Sequence, residues 1–260
     1  MPPVTPAVKK LLIANAVIFA ITFLVDFWNS QYLLYLMLNP GQWFSAPPFA
    51  PVWQLFTYGF LHDLSQAGHL LFNMLGLYFF GTMVEQTVGS RRFQVTYFGA
   101  MLAGALLHLV VCKITGSSAL ALGASGAVLG LVTAAAVLAP KAQVIFVIFP
   151  MTLRTMALIV VGLDVFYLLV SLKGQSDGVA HWVHLGGAAF GFLWARQGAI
   201  WKDPVEELEK RRIAQARQAA QDDEARMDQL LDRINRDGIS SLSDREREFL
   251  KRMSERHKGR

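Results

Sequence analysis

Residues 119–139 read ALALGASGAVLGLVTAAAVLA, twenty-one positions without one charged side chain. A helix needs roughly 20 mostly apolar residues to cross the hydrocarbon of a bilayer. The stretch therefore predicts a membrane span, and Ser125 in its interior asks for an explanation. Five further stretches of the same kind flank it, at about 11–28, 66–84, 93–112, 153–171 and 179–199. The first follows Lys9 and Lys10 but is too long for a signal-peptide core and lacks a small-x-small site after it, so it predicts a retained helix. Six spans predict an all-α, polytopic membrane bundle.

Composition agrees. Of 260 residues, 53% are hydrophobic and 17% charged, against about 25% charged in an average soluble domain; the mean hydropathy is +0.37. Residues 1–201 hold nine Lys/Arg and five Asp/Glu, whereas residues 202–260 hold fifteen and fourteen. The chain thus predicts a membrane body over 1–200 and a polar appendage over 201–260. The net charge of +5 is no nucleic-acid signal, because acidic and basic residues alternate along the tail as on a solvated helix. The one cysteine, Cys112, excludes an internal disulfide and a Cys-built zinc site. Residues 29–64 carry no Lys or Arg but are rich in Trp, Tyr, Phe and Pro, including Trp28 at the edge, Trp43, Pro47, Pro48 and Trp53. That composition suits a loop lying in the membrane interface.

Basic residues set the orientation. With Lys9 and Lys10 inside, the inner side also receives Arg91, Arg92, Lys141, Arg154 and Arg196, and the outer side only Lys113 and Lys173. Both termini are then cytoplasmic. In the tail, helix formers over 205–236 end at Gly238, a C′ residue by type. Ser243 and Glu246 have capping-box spacing ahead of a second helix. Apolar residues at 227, 230, 231 and 234 match those at 249, 250 and 253, predicting a helical hairpin that serves as scaffold or docks a cytoplasmic partner.

Polar side chains within spans are functional candidates by default. His69 and Asn73, Ser125, and His184 sit on the second, fourth and sixth spans, all roughly 6–12 Å below the outer surface at 1.5 Å per residue. Ser125 lies between glycines at the start of a helix, where free N–H groups face a developing oxyanion. The bland alternative is a small-residue packing face, since Gly126/Gly130 and Gly187/Gly191 are both GxxxG pairs. Close packing of those two spans would bring His184 to Ser125 as its base. His69 and Asn73, four residues apart, share one helix face and can donate hydrogen bonds.

The ordered set resembles the rhomboid family of intramembrane serine proteases: WQLFT at 53–57 leading to Phe60-Leu61-His62, His69-x-x-x-Asn73, GASG at 123–126, and AHWVHLGG at 180–187. The resemblance covers residues 8–200. It implies Ser125 as nucleophile and His184 as base, a dyad with no acidic third member, and an oxyanion site from the Ser125 N–H, His69 and Asn73. It implies cleavage in or near the transmembrane segments of membrane-protein substrates, with no cofactor and no metal, in the inner membrane of a bacterium. Three positions depart from the pattern. Gln54 stands where the family often has Arg, Leu129 stands where an aromatic ring commonly stacks on the base, and the His62-to-His69 spacing is long.

Other readings compete. His181, one turn from His184, is an alternative base. His62 and His108 join the outer histidine cluster, but no HxxxH pair or carboxylate accompanies them, which argues against a metal. HExxH is absent, and Asp164, the only carboxylate deep in a span, suits a bond to a neighbouring helix. Glu85 suits a charge network with Arg91 and Arg92, and Cys112 inert packing. A non-catalytic binder of membrane helices, or a transporter using the histidines, would serve the same body with other chemistry.

Overall fold

Each of the six apolar runs carries a helix in the structure, a computed structural model that describes residues 3–29, 31–45, 50–146, 148–173, 178–198 and 204–258. Pro47, Pro48, the side chain of Trp28 and the junction at 199–203 lie outside the described residues. The chain divides into two compact units, Met1–Ala199 and Ile200–Arg260.

In the first unit, α1 (Pro6–Asn29), α7 (Ser90–Thr115) and α9 (Leu153–Ser171) contain stretches long and apolar enough to cross a membrane on those grounds alone. Before α7 come three short helices in the aromatic segment, α2 (Gln31–Leu34), α3 (Pro40–Ser45) and α4 (Gln54–Thr57), where the sequence predicted a plain loop. The second span is helical from Ala67 to Val88, but α5 (Ala67–Gly76) passes through a π turn (Leu77–Gly81) into α6 (Thr82–Val88). Outward faces of these helices are apolar and exposed, as at Ile13, Ile21, Phe72, Val110, Leu158 and Phe166. Apolar groups on both the core and the outer side are what a bilayer solvent demands.

The fourth span departs from expectation. Its helix, α8 (Ser125–Leu138), starts six residues later than the apolar run. Gly123 adopts φ +117°, which a helix cannot continue. The segment before it is paired by other means. Ala121 and Leu38 exchange two backbone bonds of 3.0 Å, and the Gly123 N–H donates to the Tyr58 carbonyl at 2.9 Å. The ring Nε2 of His108 lies 2.9 Å from the Ala119 carbonyl. Irregular backbone at membrane depth is tolerated only when it is enclosed by protein and satisfied in this way. Fourteen residues rise about 21 Å, against roughly 30 Å of hydrocarbon, so with Leu138 at one boundary Ser125 stops about 9 Å short of the other.

The helix α8 is the centre of the bundle, with ten of its fourteen residues buried. The sixth span, α10 (His181–Gly198), lies directly against it. A Cβ on Gly187 would strike the Gly126 carbonyl oxygen, and one on Gly191 that of Gly130. The two GxxxG pairs therefore face each other with backbones in contact. The Thr133 hydroxyl, 2.9 Å from the Ala188 carbonyl, fixes their register. On its other side α10 meets α7, where Gly186 abuts the Ala103 carbonyl and Gly104 that of Val183.

Among the described contacts, the Glu85 carboxylate accepts from the Thr5 and Ser90 hydroxyls and from the backbone N–H groups of Ala7 (3.0 Å) and Val8 (2.9 Å). It thereby caps the start of α1, where free donors and the helix dipole favour an anion. A hairpin unforeseen in the sequence, β1 (Gln143–Phe146) with β2 (Phe149–Thr152), joins α8 to α9. The Thr152 hydroxyl accepts from the Thr155 N–H and caps α9.

The second unit holds α11 (Pro204–Asp237) and α12 (Asp244–Lys258). Gly238, at φ +81°, stops α11. The capping box forms as spaced. The Ser243 hydroxyl accepts from the Glu246 N–H, and the Glu246 carboxylate accepts from the Ser243 N–H and hydroxyl at 2.9 Å each. Those bonds hold the Glu246 carboxyl below its usual range. Leu230, Leu242, Phe249 and Met253 are buried together, with Met227, Ile234 and Leu250 packed on them. Leu231 is exposed instead, because it lies about 100° round the helix from Leu230.

Candidate active site

Ser125 is the first residue of α8, so its N–H has no acceptor within the helix. Its hydroxyl Oγ lies 2.7 Å from Nε2 of His184 on α10. The glycine contacts between the two helices make this reach possible, since any side chain at 187 would push α10 away. His184 is the residue in contact with Ser125. His181, one turn outward and buried, turns its Nδ1 to Asp164 at 2.7 Å.

Asp164, on α9, is the residue whose role the sequence left understated. Its Oδ1 lies 2.7 Å from Nδ1 of His181 and 2.8 Å from Nδ1 of His184. The bond to a neighbouring helix was foreseen; the bond to the ring that touches Ser125 was not. Two expectations are corrected here. A carboxylate does accompany the outer histidines, and an acidic group does stand behind the Ser125–His184 pair. The signal available in the sequence was the isolation of Asp164 as the only acid deep in a span, but nothing gave its distance from His184. The three ligand-type atoms fall within 4.8 Å of one another, yet the two N–O separations are those of hydrogen bonds. Tetrahedral zinc ligands at 2.0–2.1 Å from the ion would stand about 3.3 Å apart.

With Nδ1 of His184 donating to Asp164, its Nε2 is left as the acceptor for the Ser125 hydroxyl proton. A serine held by a neutral imidazole in this tautomer is poised for nucleophilic attack. The position commonly filled by an aromatic ring carries Leu129, which is buried. The His184 ring has its Nδ1 2.8 Å from the Asp164 carboxylate.

His69 and Asn73 lie on α5, and the His69 ring faces the loop that leads to Ser125. The Asp63 N–H donates to Nδ1 of His69 at 3.2 Å, so in the neutral ring the proton sits on Nε2. A Cβ built on Gly123 would come 2.8 Å from that Nε2 and 3.7 Å from the Ser125 Oγ. With no side chain at 123, a donor and the nucleophile approach one place, as an oxyanion site would require. Asn73 is buried, and its amide donates to the His69 carbonyl at 2.8 Å. One of its two N–H groups is thus engaged in holding the helix turn, and one remains.

Asp63, His62 and Gln54, which support the site, lie outside the spans. Asp63 accepts from the Ser65 N–H (2.9 Å) and hydroxyl (2.6 Å) and from the Gln66 amide (3.2 Å). The Ser65 bonds hold its carboxyl below the usual range, so the turn before α5 stays charged and rigid. His62 is buried with its ring 5.3 Å from that of His69, edge to face. Burial and the nearby His69 push it down to about 4, so it packs as a neutral ring. Gln54 fills the place of the family's Arg. It is fully buried, its Oε1 accepts from the Asn39 N–H (3.0 Å) and Trp43 Nε1 (3.1 Å), and its Nε2 donates to the Tyr35 carbonyl (3.2 Å) and Gln42 Oε1 (2.7 Å). Cys112, also buried, has its Sγ 3.5 Å from the His108 ring.

Comparison with known proteins decides the family. Residues 50–198, more than half of the chain, match the model of the Rhomboid domain. The chain belongs to the rhomboid family. It is 28% identical over 205 residues to RHOMBOID-like protein 12, mitochondrial, of Arabidopsis thaliana, covering 73% of this chain and 57% of that protein. It is 31% identical over 157 residues to Rhomboid protein 1, mitochondrial, of Saccharomyces cerevisiae, covering 57% and 42%. RHOMBOID-like protein 4 of Arabidopsis thaliana is 32% identical over 142 residues, covering 54% and 32%. The chain thus spans at most about three-fifths of these relatives' lengths. Residues 215–256 match a family of unknown function (DUF6576). The rhomboid match ends before the charged tail begins, and the body is that of an integral membrane protein.

Proposed function

We propose that this rhomboid protein is an intramembrane serine endopeptidase with Ser125 as nucleophile and His184 as base. The observation that carries the reading is the 2.7 Å contact between Ser125 Oγ and His184 Nε2. In the first step the Ser125 proton passes to Nε2, Oγ bonds to the substrate carbonyl carbon, and the C=O pair moves onto oxygen. The Ser125 N–H, His69 Nε2–H and the remaining Asn73 N–H stabilise that oxyanion. Collapse breaks the C–N bond, and the imidazolium gives its proton to the leaving amine. Water then attacks the acyl-enzyme, loses a proton to His184, and releases the acid while Oγ is reprotonated.

The substrates are transmembrane segments of other membrane proteins. A closed helix has its carbonyls engaged, so the segment must unwind where it meets Ser125, about 9 Å below the boundary. The seven-to-two distribution of basic residues supports termini on the cytoplasmic side and chemistry near the opposite face. A bacterial inner membrane finds no support in relatives whose names place them in mitochondria; sidedness is what this chain's own charges argue. A membrane-helix binder without chemistry is disfavoured, since it would have no use for a serine and an imidazole kept in contact.

Labelling with a fluorophosphonate, which phosphonylates an activated serine, tests the reading. The native chain should label and cleave a model transmembrane substrate, and Ser125→Ala should do neither. Cleavage by Ser125→Ala would end the proposal.

A further inference from the structure

We propose that Asp164 is a positioning residue for His184, making this chain's site a Ser125–His184–Asp164 relay braced by His181. The inference rests on the serine-protease reading above and goes beyond it. Three observations carry it. Asp164 Oδ1 is 2.8 Å from the Nδ1 of His184, the nitrogen opposite the one that meets Ser125. The carboxylate is nearly enclosed, at 9% exposure, so its charge acts in a medium where water screens it little. Its Oδ1 is shared with Nδ1 of His181, whose ring lies parallel to that of Tyr167 within 6°.

These contacts determine what each group does. A buried carboxylate accepting from Nδ1 fixes the proton there, and so keeps Nε2 free to take the Ser125 proton. When Nε2 becomes protonated, the ring turns cationic beside a carboxylate already in place, and no group has to reorient. His181 cannot serve as the base, because its Nδ1 is turned to Asp164 and Ser125 is met by the other ring. Its function is to hold Asp164 Oδ1 from the opposite side, with Tyr167 keeping its plane. A family position that elsewhere carries a ring stacked on the base is filled here by Leu129, and α9 supplies the orienting group instead. The second carboxylate oxygen, Oδ2, is buried and has no hydrogen-bond partner among the described residues. Retaining an acid with one oxygen unmatched is costly, and a purely structural contact to two histidines would be served as well by an amide.

The test compares Asp164→Asn, His181→Phe and Ser125→Ala in the full-length protein in detergent. We expect Asp164→Asn to lower kcat by about 10²–10³-fold with KM within about twofold, since substrate docking is untouched and only the charge behind the base is lost. The fluorophosphonate labelling rate should fall in parallel, and the thermal midpoint should stay within a few degrees of the native value. His181→Phe should lower kcat by about 5–20-fold. Retention of more than half the native kcat and labelling rate by Asp164→Asn overturns the inference, while a dead Ser125→Ala in the same series leaves the protease reading standing. A changed KM at constant kcat also overturns it. Should Asp164→Asn fail to fold, the ring ¹⁵N shifts of His184 in the native chain answer the same question. A proton on Nδ1 is expected, and a proton on Nε2 with a bare Nδ1 overturns the relay.

Discussion

His69 and Gly123 share one small space: a methyl group on Gly123 would lie 2.8 Å from the His69 Nε2. The same glycine also needs φ +117°, so its absent side chain is required twice, once for the turn and once for the cavity. Gly123→Ala should therefore lower turnover by at least about 10²-fold, the loss expected when an oxyanion donor is displaced. Gly116→Ala provides the control. That glycine also has a positive φ, +69°, but nothing lies within 4 Å of its would-be Cβ. It should cost about 1–2 kcal/mol of stability and leave kcat alone. Equal activities in the two variants would show that the space before Ser125 is not used.

Graded losses should separate the remaining site residues. His184→Ala should nearly abolish labelling, because an unassisted hydroxyl is a poor nucleophile. His69→Ala and Asn73→Ala should each retain residual turnover, reduced by about 10²–10³-fold, or 3–4 kcal/mol, since the Ser125 N–H still serves the oxyanion. Turnover by Asn73→Ala at the native rate would assign that amide wholly to its bond with the His69 carbonyl.

Sidedness can be read with single cysteines in a Cys112→Ala background. Ser117→Cys, in the exposed segment that leads to Ser125, should react in intact cells with an impermeant thiol reagent. Lys141→Cys, at the opposite end of α8, should react only after the membrane is opened. The reverse pattern would move the chemistry to the other face.

The tail should be dispensable for chemistry, and a chain ending at Trp201 should still cleave in detergent. Within the tail, Ser243→Ala should destabilise the start of α12 by about 1 kcal/mol. Acid should do the same. The Glu246 carboxyl is depressed in the fold, so its contribution is present above the unfolded carboxylate range and is lost as pH falls through its lower folded value. Hydrogen exchange of α12 amides, corrected for the intrinsic rate at each pH, should show protection falling below about pH 4 in the native chain and already reduced at neutral pH in Ser243→Ala. A flat profile would remove the capping box from the account of α12.

The helices were legible because a bilayer leaves so few options: any apolar run of span length must satisfy its backbone internally, and a helix does so without help. That logic fails where a partner segment supplies the bonds instead. The residues 119–124 are as apolar as any span, yet Leu38, Tyr58 and the His108 ring meet their backbone groups from more than ten residues away, and no local pattern records that. Ser125, His184 and His69 were legible from chemistry plus depth, since polar groups at one level on separate helices are informative. Asp164 was equally visible as an anomaly. Its pairing was hidden because the number of residues between α9 and α10 does not fix how the two helices are rotated. Leu231 was misread for a simpler reason: two adjacent leucines cannot both face one partner helix.

The Gln54 hub has a consequence for where such a protein can work. An arginine in its place would hold the aromatic segment through charge, and a charge-based anchor weakens as ions accumulate around it. Four bonds between neutral groups have no counterions to gain or lose. The short helices α2, α3 and α4 are thus fastened by an attachment indifferent to salinity, and their mutual arrangement should hold equally in dilute buffer and in brine.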